Sequence, residues 1–283
     1  MLTKAAEHDR SAILEYCMAE PNVNLFILGD IENYGFGNSF QDVWFTTLEG
    51  NISGIALRYH DNLIVYTRNL DKPFSEVMEI LKECNIRVIS GKQSVMNQIF
   101  PLVSDKFTKR EMVFCELLEP AKLLNDIEEV QAALPENAME IAEVYGQISE
   151  FSGIYASDVD VRQKQIVNRI ISREGIHFFI RRDGKIISHA NSAGETSVSG
   201  MIGGVLTLPA FRHQSLASKV ISAVSRDLAR RGKSACLFYD KHLSSSIFNR
   251  LGFQVTNFWT ILEKRTNEDI THLFLSLIWS NNF

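Results

Sequence analysis

The chain is sparing with cysteine and proline, has no excess of positive charge and carries no long hydrophobic run. Its four cysteines are Cys17, Cys84, Cys115 and Cys236. No two are close in sequence, so there is neither a CxxC pair nor the ligand spacing of a zinc site. Reduced, mostly buried thiols are expected, and no metal. The 29 Lys and Arg are outnumbered by 34 Asp and Glu, for a net charge of −5. A protein that grips phosphate backbones is usually basic, and no basic stripe with interleaved aromatics is present. Nucleic acid is therefore not an expected partner. Met1 to Leu14 contains Lys4, Glu7, Asp9 and Arg10 and lacks the apolar core of a signal peptide. Near the other end, Leu273 to Trp279 is far too short to span a bilayer. The expectation is a cytoplasmic protein with no membrane partner.

What is present is core material. Hydrophobic residues make up 45% of the 283 and charged residues 22%, enough for two domains of ordinary size. Ser11–Met18 reads as a helix and Val23–Ile31 as a strongly apolar stretch. Val43–Leu48, Ser53–Tyr59 and Leu63–Tyr66 are β-rich runs separated by turn residues. Pro73–Cys84 has apolar residues at helical spacing, Phe74, Val77, Met78 and Leu81. Ile86–Ser90 reads as a strand, Val95–Phe100 as a helix and Glu111–Glu116 as a strand. Ser90-Gly91-Lys92-Gln93-Ser94 is similar to a P-loop but fails as one. Gln93 stands where Ser or Thr must hold magnesium, and the first glycine is missing. It is read as a strand-to-helix turn.

Pro120–Pro135 is polar and acidic, which sets a boundary near residue 125. The same grammar then restarts. Asn137–Phe151 and Val161–Ser172 read as helices, and Ile176–Arg181 with Lys185–Asn191 as a hairpin around Asp183-Gly184. Ser199–Leu208 is a strand, and Ser215–Arg231 a long helix closed by Gly232. Ala235–Tyr239 is a strand, Ser244–Arg250 a short helix and Gln254–Glu263 the last strand. Two diverged copies of one α/β fold are expected, spanning residues 1–125 and 126–283.

The most informative run is Gly203 to Ser218. A strand ends, a short loop turns, and a long helix begins, which aims unpaired backbone N–H groups and a helix dipole at one point suited to a pyrophosphate. This run resembles the acyl-CoA-binding segment of GNAT N-acetyltransferases, whose pattern Gln/Arg-x-x-Gly-x-Gly/Ala falls on Arg212, His213, Gln214, Ser215, Leu216 and Ala217. Arg212 and Ala217 match. Val205-Leu206-Thr207 and Pro209 resemble the family's fourth strand and its exit. Cys236 to Asp240 resembles the fifth strand, and Ser244 to Phe253 the following helix with its closing Gly252-Phe253.

The resemblance covers roughly residues 136 to 264 and implies an α/β (α+β) fold. It points to two GNAT-like domains, each a mixed, mostly antiparallel central sheet flanked by helices, the N-terminal one degenerate. By the same resemblance the fourth strand carries a bulge and splays from its neighbour, Gly203-Gly204 being compatible with a bulge. Acetyl-CoA is the implied co-substrate. Its contacts would be Val205, Leu206, Thr207, Arg212, His213, Gln214, Ser215, Leu216, Ala217, Ser218, Ser244 and Phe248. The implied activity is N-acetyl transfer to a small-molecule amine, with a homodimer left open.

The departures are specific. Ser215 replaces a loop glycine, and His213-Gln214 a small-basic pair. Lys241-His242 stand where relatives have Asn-Pro, and Phe248 where many have a tyrosine that protonates the departing thiolate. A weakly active or inactive CoA-binding sensor, and an interaction module on the same fold, therefore stand as alternatives. For a base the choice is Glu195, otherwise a turn residue, or His189, otherwise a satisfied strand histidine. For an acid it is Tyr239, otherwise a buried structural tyrosine. Ser244 and Ser245 serve equally as helix caps, and Arg226, Arg230, Arg231 and Lys233 read as a solvated helix end. Glu150, in the stretch Glu150–Tyr155 that the resemblance gives to the acceptor, is either an ammonium ligand or an exposed helix-end carboxylate.

Overall fold

A computed structural model describes residues 2–71, 74–151, 156–240 and 246–265. The expectations at Pro73, Ser152–Tyr155, Lys241–His242, Ser244–Ser245 and Leu273–Trp279 lie outside the described residues. Two compact units form, residues 2–114 with 256–265, and residues 115–255.

The first unit begins with β1 (Leu2–Lys4), α1 (Arg10–Cys17) and α2 (Leu25–Tyr34). It continues through β2 (Gln41–Leu48), β3 (Asn51–Tyr59), β4 (Asn62–Thr67), α3 (Val77–Glu83), β5 (Val88–Lys92), α4 (Gln93–Val103) and β6 (Phe107–Leu117). Of the apolar stretch at Val23–Ile31 the part from Leu25 is helical, and Leu25 through Ile31 are all buried. The strand-to-helix turn falls at Lys92-Gln93, where β5 passes directly into α4, and Lys92 Nζ donates to Glu20 Oε1 at 2.8 Å. β1 to β4 pair antiparallel in sequence order, and β4 pairs parallel with β5. That parallel pair is closed. It runs from Asn62↔Val88 to Val65↔Gly91, and a Cβ on Gly91 would lie 2.4 Å from the Val65 carbonyl oxygen.

The second unit repeats the element order. β7 (Val130–Ala132), α5 (Ala138–Gly146), α6 (Val159–Ser172), β8 (His177–Arg182) and β9 (Lys185–Ala193) lead to β10 (Ser199–Thr207). Then come α7 (Leu216–Arg230), β11 (Ser234–Asp240), α8 (Ser246–Arg250) and β12 (Phe253–Lys264). Its strands lie in the order β7-β8-β9-β10-β11, all antiparallel except β10 with β11. β12 leaves this unit after Val255 and pairs antiparallel with β5 of the first, from Trp259↔Lys92 to Glu263↔Val88. Leu262 is buried in the first unit's core with Leu63, Val65 and Ile89. Residues 256–265 thus belong to the first unit and its sheet.

Local chemistry accounts for these elements. α6 starts at Asp158, whose Oδ1 accepts from the N–H groups of Asp160 and Val161 at 2.8 and 3.2 Å, satisfying two donors of the first turn. α7 buries Leu216, Val220, Ile221, Val224 and Leu228, spaced to form one stripe, against the sheet. α5 and α6 cover the opposing core with Ile141, Ala142, Tyr145 and Ile166 against Phe179, Ile186 and Leu206. β1 and β7 are three-residue strands, too short to show an alternating pattern in the sequence.

Candidate functional site

β10 is regular only for its first half. Its pairing with β11 runs from Ser199↔Ser234 to Ile202↔Leu237 and stops there, although both strands continue. On its other side the register with β9 shifts between Gly203↔Asn191 and Leu206↔His189, so Gly204 and Val205 stand opposite Ala190 alone. This is a β-bulge. Gly204 has φ +54°, and a Cβ there would lie 2.2 Å from both Tyr145 Oη and Asn191 Oδ1. A side chain has neither the backbone conformation nor the room.

Beyond the splay the chain turns through Pro209–Phe211 into α7. His213 (φ 64°) and Ser215 (φ 60°) both adopt the left-handed conformation, Ser215 at the N-cap. The Ser215 side chain makes no capping hydrogen bond. The first-turn N–H groups of α7 lack intrahelical acceptors by helix geometry, and the helix dipole adds positive potential there. A cleft of about 630 Å³ opens at this point. Val205, Leu206, Thr207, Arg212, His213, Ser215, Leu216, Ala217 and Ser218 line it, so nine of the expected contact residues come together. Ile148, Glu150, Phe151, Phe211, Ile247 and Arg250 complete the wall. The sequence reading overlooked Ile247 and Arg250, although their i, i+3 spacing on a short helix is the signal that they share a face.

Several expected site residues are placed elsewhere. Gln214 does not line the cleft; its Oε1 accepts from Arg182 Nη1 at 2.8 Å. Phe248 turns away, stacked on Tyr239 (centroids 5.4 Å apart, planes at 25°) and edge-on to Phe253. Tyr239 is itself buried, with its hydroxyl hydrogen-bonded beside the Cys115 thiol, and it too is absent from the cleft wall. Ser244 lies outside the described residues.

Glu195 is corrected most clearly. Its side chain is only 4% exposed and forms ion pairs with Arg231 and Lys233, and Ser192 Oγ donates to it. Burial acts to raise its pKa, but the hydrogen bonds from Arg231, Lys233 and Ser192 outweigh that and hold the carboxyl below its ordinary value. Arg231 follows the C-terminus of α7, whose N-terminus borders the cleft. Fifteen helical residues lie between, about 22 Å at the α-helical rise. Glu195 anchors the far end of the helix and is out of reach of a substrate at the near end.

His189 is a satisfied strand histidine, 0% exposed, with both ring nitrogens hydrogen-bonded. Burial pushes its pKa down to about 4, opposed by the hydrogen bond to Gly204 and assisted by the charge of Arg169. Glu150 does stand at the cleft. Its carboxyl is held below the ordinary range first by its own backbone N–H, then by Ser149 and Arg212 against partial burial. Arg212 Nη2 lies 2.9 Å from Glu150 Oε1, and Arg212 Nε donates to the Thr207 carbonyl.

Among the described residues no group of three or more His, Cys, Asp or Glu is placed to hold a metal ion, and no helix is long and apolar enough to cross a membrane.

Residues 185–260 match the family model described as FR47-like protein. No curated protein matches the sequence. A Drosophila protein of solved structure is 14% identical, with TM-score 0.67, over 94% of this chain and 99% of that one. A GCN5-related N-acetyltransferase from Sphaerobacter thermophilus is 16% identical, with TM-score 0.64, over 96% and 98%. A tandem GNAT protein from the clavulanic acid biosynthesis pathway is 11% identical, with TM-score 0.58, over 95% and 99%. At such identities the likeness speaks for architecture. The chain has the GNAT fold in its tandem form, and its FR47-like stretch lies in the second copy.

Proposed function

We propose that the second unit binds acetyl-CoA and transfers its acetyl group to a small amine. The observation that carries this reading is the coincidence of three features in one cleft. β10 separates from β11 after Ile202↔Leu237, β10 bulges at Gly204-Val205, and α7 presents its N-terminus through the Arg212–Ser215 turn. A pyrophosphate fits the N–H groups of α7, with Arg212 adding a charge-assisted contact. The splayed strand offers backbone groups to the amides of pantetheine. Ile148, Phe151, Val205 and Ile247 give the thioester an apolar lining. The cleft volume lies within the range of small-molecule sites.

In the transfer, the neutral amine attacks the thioester carbon. A C–N bond forms, the C–S bond breaks, and the nitrogen's surplus proton passes to solvent or to the Glu150 carboxylate. The sulfur leaves as thiolate. Polarisation of the carbonyl falls to backbone N–H groups of the bulged strand. Glu150, ionised on the cleft wall, suits the ammonium form of an arriving acceptor. Among the described residues that line this cleft none is a tyrosine, and Tyr239 and Phe248 are stacked on each other outside its wall. That stack favours the second reading, a CoA-binding sensor with little turnover.

Calorimetric titration with acetyl-CoA tests the proposal, beside an Arg212→Ala, Ser215→Asp double variant. Micromolar binding to the parent that is lost in the variant supports the site. Absence of heat and of thermal stabilisation with acetyl-CoA, CoA and longer acyl-CoAs rejects both readings and leaves an interaction module. Turnover on a panel of small amines then separates enzyme from sensor. The acceptor, a homodimer and a cytoplasmic location are part of this proposal only as expectations from the sequence.

A further inference from the structure

Two histidines lie side by side in the core of the second unit, a costly arrangement for which the acetyl-transfer reading has no use. His177 is 2% exposed and His189 0%. Apolar residues of similar size would fill the same space without the desolvation of four ring nitrogens. Their hydrogen bonds give a reason for the pair. His189 Nδ1 lies 2.9 Å from the Gly204 carbonyl oxygen. A carbonyl only accepts, so Nδ1 carries the proton. In a neutral ring Nε2 is then bare, and it accepts from His177 Nδ1 at 3.0 Å. The His177 Nε2 is left as a bare acceptor and finds no partner among the described residues. His189 must be neutral for this chain of donors to run in one direction. Burial depresses both pKa values, with the charge of Arg169 adding to it.

The relay ends on the bulge. Gly204 is the residue whose carbonyl the relay holds and the one whose Cβ Tyr145 and Asn191 exclude. Tyr145 Oη donates to Asn191 Oδ1 at 3.1 Å, with a longer contact of 3.3 Å to His189 Nδ1. The backbone partner of His189 is Leu206, so its side chain reaches back along β10 to the bulged residue. Val205, the next residue, lines the cleft.

We propose that His189 is a positioning residue for the acyl-CoA cleft, its Nδ1–H fixing the Gly204 carbonyl and so the bulge that presents Val205 to the ligand. This rests on the cofactor reading above. His189 touches no ligand itself; it acts through the backbone.

The test compares His189→Asn with His189→Gln, since an Asn amide nitrogen falls where Nδ1 stands and a Gln amide nitrogen where Nε2 stands. Asn keeps the donor to Gly204 and loses the link to His177, while Gln reaches His177 and loses that donor, so a purely structural role predicts that acetyl-CoA affinity falls only in step with thermal stability. The proposal predicts affinities that follow the donor to Gly204 whatever the thermal losses: Asn within about threefold of the parent, and Gln weaker by about tenfold or more, the factor for one hydrogen bond to the backbone. Ring nitrogen NMR of the parent, which needs no variant to fold, must show His189 protonated at Nδ1 and bare at Nε2. The opposite tautomer overturns the proposal, and so do equal affinities of the two variants when the parent binds. If the parent binds no acyl-CoA, the cofactor reading fails and takes this one with it.

Discussion

Arg212 and Glu150 meet at the cleft, Nη2 to Oε1 at 2.9 Å, from two segments 62 residues apart in the chain. One is the residue expected to meet phosphate, the other the carboxylate expected to meet an amine, and the two pair with each other. Their side chains are 40% and 57% exposed, so the pair is worth little in stability, roughly 0.2–1 kcal/mol for such surface pairs. Its removal therefore reports on binding. Glu150→Gln is expected to free Arg212 and raise acetyl-CoA affinity up to about fivefold, while raising the KM of the amine. Calorimetry and initial rates measure the two effects. A loss of acetyl-CoA affinity would place Glu150 on the cofactor's side.

Ser215 occupies a left-handed conformation at the N-cap of α7, with no capping hydrogen bond from its hydroxyl. A β-carbon in that region costs about 1–2 kcal/mol, offset in part by the greater chain entropy lost by glycine on folding. Ser215→Gly is expected to stabilise the protein by about 0.5–1 kcal/mol, seen as a rise in melting temperature, with acetyl-CoA binding retained or improved. Weaker binding in the glycine variant would mean that the hydroxyl itself contacts phosphate.

Glu195 is held ionised by Arg231, Lys233 and Ser192, so its folded pKa lies below its unfolded one. The stability it contributes is complete above the unfolded carboxyl value. It is lost as pH falls through the depressed folded value. Glu195→Gln is expected to cost about 2 kcal/mol at neutral pH, within the range for hydrogen bonds to charged groups. The gap to the parent should close under acid conditions. Denaturant melts at neutral and acid pH check both parts. Acetyl-CoA binding should survive; its loss would return Glu195 to the site.

Phe248→Tyr, which restores the tyrosine found in many acetyltransferases, is expected to leave turnover unchanged. The ring packs on Tyr239 and Phe253, away from the cleft wall. A gain of tenfold or more in kcat, on the order of a general acid's contribution, would show that α8 turns this side chain toward the ligand during the reaction.

Much of the architecture could be read along the chain. The hairpin at Asp183-Gly184, the long helix after the Arg212–Ser215 turn and the doubled order of elements all show in local periodicity and turn chemistry, which act over a few residues. Nine cleft residues came from one continuous run for the same reason: a strand, a turn and a helix start position their own backbone. Partners were another matter. Glu195 read as a loop carboxylate near the binding strand, and only the fold brought it to Arg231 and Lys233, 36 and 38 residues on. Phe248 read as a contact because, by resemblance, it stands where many acetyltransferases have a tyrosine; its ring faces Tyr239 because the end of β11 lies there. The return of β12 to β5, and the relay from His177 through His189 to Gly204, depend on which strands are neighbours and in what register. Periodicity tells which face of an element is buried. It carries no information on what that face meets, because this is decided when segments far apart in the chain pack together.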